Sequence, residues 1–212
     1  MKYMPYSNQK KGMFLAFIGV IFITPDSLFI RLANLTSWDL IFYRGFIPFF
    51  IVFAGLLIIY KSKFISQLLE NGWHGAAYAV TFAITNIFFV ISINNTNVAN
   101  TLIMIALAPM LSAVISFIFL KESTDQKTWI AITITTLAVI YIFNDSFEKG
   151  DVLGNFLGLV CAAGLAAGAV IIRSAKKINL VPSAMMGKLL VTLIALFFID
   201  NPILKGNDLI II

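Results

Sequence analysis

Long apolar stretches separated by short polar punctuation make up most of this chain. They run over residues 12–31, 39–60, 73–93, 98–120, 128–143, 154–172 and 182–199. Within each stretch the apolar positions are nearly continuous, without the two-residue alternation of a lipid-facing strand, which excludes a transmembrane β-barrel. A hydrocarbon core of about 30 Å takes about 20 helical residues to cross, and most of the stretches approach that length. The pattern predicts an all-α integral membrane protein with about seven transmembrane helices, its partner the lipid bilayer. Residues 209–212, four apolar positions, read as the opening turn of an eighth.

Composition agrees: 60% of the residues are hydrophobic and 12% charged, too few charges for the polar shell of a water-soluble fold. The net charge of +5 is small and scattered between the spans. It therefore excludes a nucleic-acid partner and reads as a topology signal instead. With the N-terminus in the cytoplasm, that side collects Lys2, Lys10, Lys11, Lys61, Lys63, Lys121, Lys127, Arg173, Lys176 and Lys177. The other side holds Arg31, Lys149 and Lys205 among the acids Asp145, Glu148, Asp151, Asp200 and Asp208. Cytoplasmic loops carry the excess of lysine and arginine, and Trp38, Trp73 and Trp129 stand at span ends as interfacial residues should. No small-x-small cleavage site follows the first apolar stretch, so it is expected to be a retained helix, not a signal peptide. The single cysteine, Cys161, excludes an internal disulfide and a cysteine-built metal site.

The first and sixth stretches match at one offset. Gly12, Phe14 and Leu15 fall on Gly154, Phe156 and Leu157, and the Ile30-Arg31 ending falls on Ile172-Arg173. Each is followed by a span with an interior cation, Arg44 in one case and Lys188 in the other. Five spans separate the two copies, an odd number, so the second copy is inverted, as in the repeats of secondary transporters. Residues 1–150 are expected to form a first five-helix repeat. Residues 151–212 would form a truncated second one, two helices and the start of a third.

Four segments carry a resemblance: TPDSLFIRL from Thr24, WDLIFYRG from Trp38, NTNVANTLIMIALAPMLSAVISFIFLKE from Asn95, and GLVCAAGLAAGAVIIRS from Gly158. Together they resemble the EamA-like branch of the drug/metabolite transporter superfamily. The resemblance implies inverted five-helix repeats and movement of a small-molecule solute, a small organic metabolite, by alternating access. It also implies a multi-pass protein of the plasma membrane (the bacterial inner membrane). A homodimer is left open.

An ionisable group inside a span costs about 2.5–3.5 kcal/mol on insertion scales, so it is expected to meet a partner or a cavity. Asp26, Arg44 and Lys188 are such groups. Asp26 stands five residues from Arg31, and Arg44 five residues from Asp39. Each therefore lies about 7–8 Å below the same membrane face, and an Asp26–Arg44 ion pair is expected. It either locks two spans together or lines a pathway. As the carboxylate inside a span, Asp26 is the candidate for coupling to protons; Arg44 would tune it or attract an anionic group. Lys188 is expected to mirror Arg44 across the midplane, or else to snorkel to the nearer interface. Pro25, Pro48 and Pro109 are expected to kink their spans.

Two polar stripes add uncharged candidates for the pathway wall: Thr85, Asn86, Ser92 and Asn95 in the third span, Thr101 and Ser112 in the fourth. Hydroxyls at helical spacing serve equally as packing contacts between membrane helices. Gly164-xxx-Gly168 reads as close packing. No cofactor is implied, and no metal: neither a nucleophile-base motif, a metal-ligand set nor a phosphate loop is present. An enzyme is not expected. A passive channel, or an inactive or scaffold membrane fragment that needs the missing helices, stays as the alternative to the carrier.

Overall fold

The computed structural model describes residues 12–199 apart from 16, 20, 22–24, 34, 123–124, 150, 176–177 and the side chains of 142–143 and 145–149. The charges at Lys2, Lys10, Lys11, Lys176, Lys177, Asp200, Lys205 and Asp208, and the apolar end 209–212, lie outside the described residues, as do the side chains of Asp145, Glu148 and Lys149.

Residues 12–15, 17–19 and 21 are helical. Helix α1 (Asp26–Leu32) follows, then α2 (Ser37–Tyr60), a 3-10 turn (Lys61–Lys63), α3 (Phe64–Glu70), α4 (Gly72–Asn95) and α5 (Val98–Ile105). The chain continues through α6 (Ala108–Leu120), α7 (Gln126–Lys149), α8 (Val152–Ser174) and α9 (Val181–Leu196). There is no strand among the described residues. Among them, four helical stretches are long and apolar enough to cross a membrane: Ser37–Glu70, Gly72–Asn95, Val98–Leu120 and Val152–Ser174, with Val181–Leu196 a shorter apolar helix.

Local chemistry sets several boundaries. Pro25 has no N–H to give an upstream carbonyl, so the first span does not run unbroken to Arg31: a new helix starts after the proline. The Thr36 hydroxyl accepts the Asp39 N–H at 3.3 Å and caps α2. Pro109 falls in the first turn of α6, behind the turn at Ala106–Leu107 that divides the fourth span in two. Pro48 alone of the three lies inside a helix, and that helix continues past it. The expectation of three kinked spans thus becomes two restarts and one tolerated proline.

Helices α4 and α8 share the most extensive contact, α9 is wedged between α2 and α4, and α5 and α6 lie on α8. The α4–α8 contact is close because α8 presents small residues. A Cβ on Gly154 would stand 2.5 Å from the Asn95 carbonyl oxygen. Gly164 abuts the Thr85 hydroxyl, and a Cβ on Gly168 would stand 3.5 Å from the Tyr78 ring, as the GxxxG spacing predicts. Cys161 is buried in the same seam, its Sγ 3.6 Å from the Thr85 carbonyl. A second core, from Ile30, Leu40, Ile41, Ala83, Ile87, Val90, Ile93, Val191 and Ala195, joins α1, α2, α4 and α9. Outward-facing residues are equally apolar: Ile58, Ile59 and Phe119 are 74%, 70% and 75% exposed. Water would not tolerate such a surface and lipid does, so the chain is a multi-pass membrane protein.

Gly154→Val would force two γ-methyls into the Asn95–Thr96 backbone. It is expected to lower stability by about 1–3 kcal/mol, the usual cost of overpacking, read as an earlier unfolding midpoint of the detergent-solubilised protein.

Candidate functional site

Helix α4 runs through the middle of the bundle and has two working faces. One carries Thr85 and Ser92 toward α8. The other carries Phe82, Asn86 and Phe89, spaced by four and three residues and so stacked along one side, toward α1, α2 and α9. A polar cluster forms on this second face.

Asp26 opens α1, where the helix dipole favours a negative charge. Its carboxylate receives both terminal nitrogens of Arg44, with Nη2 to Oδ2 at 2.7 Å and Nη1 to Oδ1 as the parallel bond. This forked pairing is the strongest geometry available to arginine. The ion pair expected from the depths of the two residues is therefore formed, with both side chains largely shielded. The Arg44 guanidinium also lies over the Phe89 ring, 6.0 Å from its centroid.

Lys188 of α9 reaches the cluster from the other side. Its Nζ donates to Asn86 Oδ1 at 2.7 Å and stands 5.3 Å from the Phe82 centroid. The Asn86 side-chain N–H is spent on the Phe82 carbonyl at 2.8 Å, which orients its oxygen toward the lysine. Lys188 does not snorkel to an interface, nor does it mirror Arg44 at the opposite depth. The reason lies in how α2 meets α9. At Gly45 the missing side chain lets α9 approach until a Cβ there would be 2.5 Å from Thr192 Oγ1 and 3.1 Å from the Lys188 carbonyl. That crossing puts residues 44 and 188 at one level along the bundle.

The other candidates divide. Ser92 Oγ donates to the Gly154 carbonyl at 2.7 Å and pairs with Thr101 Oγ1 at 2.8 Å, both fully buried. Thr85 Oγ1 donates back to the Thr81 carbonyl at 2.8 Å while packing on Gly164. These three hydroxyls hold α4, α5 and α8 together and do not reach the cluster. Ser112 is half-buried on α6, away from it. Asn95 lies at the end of α4, beside a cleft of about 560 Å³ lined by Arg31, Asn94–Val98 and Asp151. There Arg31 Nη2 donates to the Thr96 carbonyl at 2.6 Å and ties α1 to the α4–α5 turn.

Phe82 and Phe89 were not among the candidates. Their spacing around Asn86 was visible, but phenylalanines in an apolar span carry no signal until their neighbours are known.

The chain matches the EamA-like transporter family over residues 10–144, more than half its length. It belongs to that family. Compared with the curated proteins and with the solved structures, it matches none. The matched span includes α1, α2 and α4, and with them Asp26, Arg44 and Asn86; Lys188 stands beyond it.

A double-mutant cycle on Asp26→Asn and Arg44→Gln should return a favourable coupling of about 0.5–3 kcal/mol, the range for side chains in one network. Unfolding midpoints of the four proteins measure it. Additive effects would mean that the pair contributes nothing to the fold.

Proposed function

We propose that the protein is a secondary transporter, independent of ATP, that carries a small organic metabolite across the bacterial inner membrane by alternating access. The observation that carries this reading is the cluster itself. One acid, two cations and an amide from four different helices meet inside a bundle whose outer surface is apolar. Charged groups are retained inside a membrane protein where solutes or protons pass, and a site shared between helices changes shape when those helices move.

In this mechanism the Asp26–Arg44 pair is the moving part. Ionised, Asp26 holds α1 against α2. Protonated, it loses the charge that holds Arg44, and the two helices can part. Proton entry would thus be linked to opening on the side where α1 ends. The family's transporter character and the concentration of interior charge support this role for the pair. Lys61, Lys63, Lys121, Lys127 and Arg173 gather at one end of the helices, and Arg31 and Asp151 at the other. By the positive-inside rule this supports a cytoplasmic N-terminus. The match of Gly12, Phe14, Leu15 and Ile30-Arg31 to Gly154, Phe156, Leu157 and Ile172-Arg173 at one offset supports reading residues 1–150 and 151–212 as parts of two related repeats.

Purified protein in liposomes, tested against a metabolite panel under an imposed pH gradient, should give saturable, gradient-dependent uptake of at least one solute. Asp26→Asn should remove the pH-gradient dependence, and Arg44→Gln should lower uptake by about tenfold or more, equal to ~1.4 kcal/mol of lost interaction. Solute-independent conductance would identify a channel instead. A folded protein with no flux at all would identify a scaffold.

A further inference from the structure

We propose that the Lys188 face of the cluster binds a monoanion, the carboxylate of a small amphipathic acid, with Phe82 and Phe89 as the apolar walls for its body. The inference rests on the transporter reading above and names the class of solute.

Charge balance leads to it. Arg44 is answered by Asp26, oxygen for nitrogen, through both terminal nitrogens. Lys188 has no such partner among the described residues. Its contacts are the neutral amide oxygen of Asn86 at 2.7 Å and the ring of Phe82 at 5.3 Å. An ammonium has three protons to donate, and Asn86 takes one. The described groups of the cluster therefore leave one positive charge in excess, within the apolar interior of a membrane protein. Low surrounding polarity strengthens the attraction of that charge for an anion.

The same balance sets the ligand's charge. A single carboxylate brings the cluster to neutrality, whereas a phosphate dianion would replace one excess charge by its opposite. The surroundings set the rest. Phe82 and Phe89 flank Asn86 on the face of α4 that meets the cluster, and Tyr78 continues that aromatic row, its ring centroid 5.9 Å from that of Phe82. These offer ring faces and few hydrogen bonds, which suits an aromatic or branched apolar body more than a polyhydroxylated one. Asn86 acts as a positioning residue: its oxygen holds the ammonium near mid-helix, away from the interface.

The test is equilibrium binding of radiolabelled phenylacetate to the full chain in nanodiscs of phosphatidylcholine alone, so that no anionic headgroup competes for Lys188. Its neutral isostere phenylacetamide serves as the comparison. Phenylacetate should bind saturably and about tenfold or more tighter than the amide. Lys188→Gln should erase that preference, and Lys188→Arg should keep it. Asn86→Asp retains the cation but places a carboxylate on it, and should also erase the preference. It decides the matter if Lys188→Gln fails to fold. Equal affinity for the acid and the amide, no saturable binding of either, or an unchanged preference in a folded Lys188→Gln or Asn86→Asp protein would overturn the proposal. Flux measured in parallel separates the two readings. Anion preference without flux refutes carriage and leaves the site standing; flux of neutral solutes without anion preference does the reverse.

Discussion

Asp26 and Arg44 can stand inside an apolar bundle only because each cancels the other's charge, and much of the arrangement around them follows from that need. Helix α1 has seven residues, too few to be fixed by its own hydrogen bonds. Three things hold it: the forked ion pair to α2, the buried side chain of Ile30 in the shared core, and the Arg31 bond to the Thr96 carbonyl. Two of the three are charge-assisted. A helix tied down by polar bonds near its two ends depends on charge for its position, which a helix held by a broad apolar seam does not. This separates α1 from α4 and α8, whose contact rests on small side chains and close backbones and holds no ion pair among the described residues.

Helix α4 reconciles the two kinds of contact by giving each its own face. Toward α8 it offers hydroxyls to glycines, and the bonds from Ser92 to Gly154 and Thr101 satisfy polar atoms where water does not reach. Toward α1, α2 and α9 it offers phenylalanine, asparagine and phenylalanine in succession, a ladder of ring faces around one amide oxygen. The rigid face fixes the height of the working face. A shift of α4 along α8 would carry Asn86 away from Lys188, so packing on one side sets the electrostatics on the other.

Part of this was legible in the residues alone. The helical class and the membrane environment follow from apolar stretches of span length. The Asp26–Arg44 pair followed from counting each residue's depth from its own span end, because helical rise converts sequence distance into height. The packing role of Gly164 and Gly168 followed from their spacing. The third-span stripe was harder. Thr85, Asn86 and Ser92 look alike by polarity and are close in sequence, yet Thr85 and Ser92 turn to α8 and Asn86 turns to α9. Neighbouring helix positions differ by about 100° in direction (3.6 residues per turn), and no pattern within one helix says which helix stands opposite.

By itself, then, the sequence determined the class, the environment and the pairing of opposite charges at one depth, since these depend on composition and on spacing along single helices. The tertiary structure decided where Lys188 goes. Counting from the span end placed it at the opposite depth to Arg44. The close crossing at Gly45, with Thr192 and the Lys188 carbonyl against a glycine that has no side chain to keep them away, brings it level instead. Which cation meets which amide depends on how near two helices can approach, and that is a property of the pair of surfaces, not of either strip of residues.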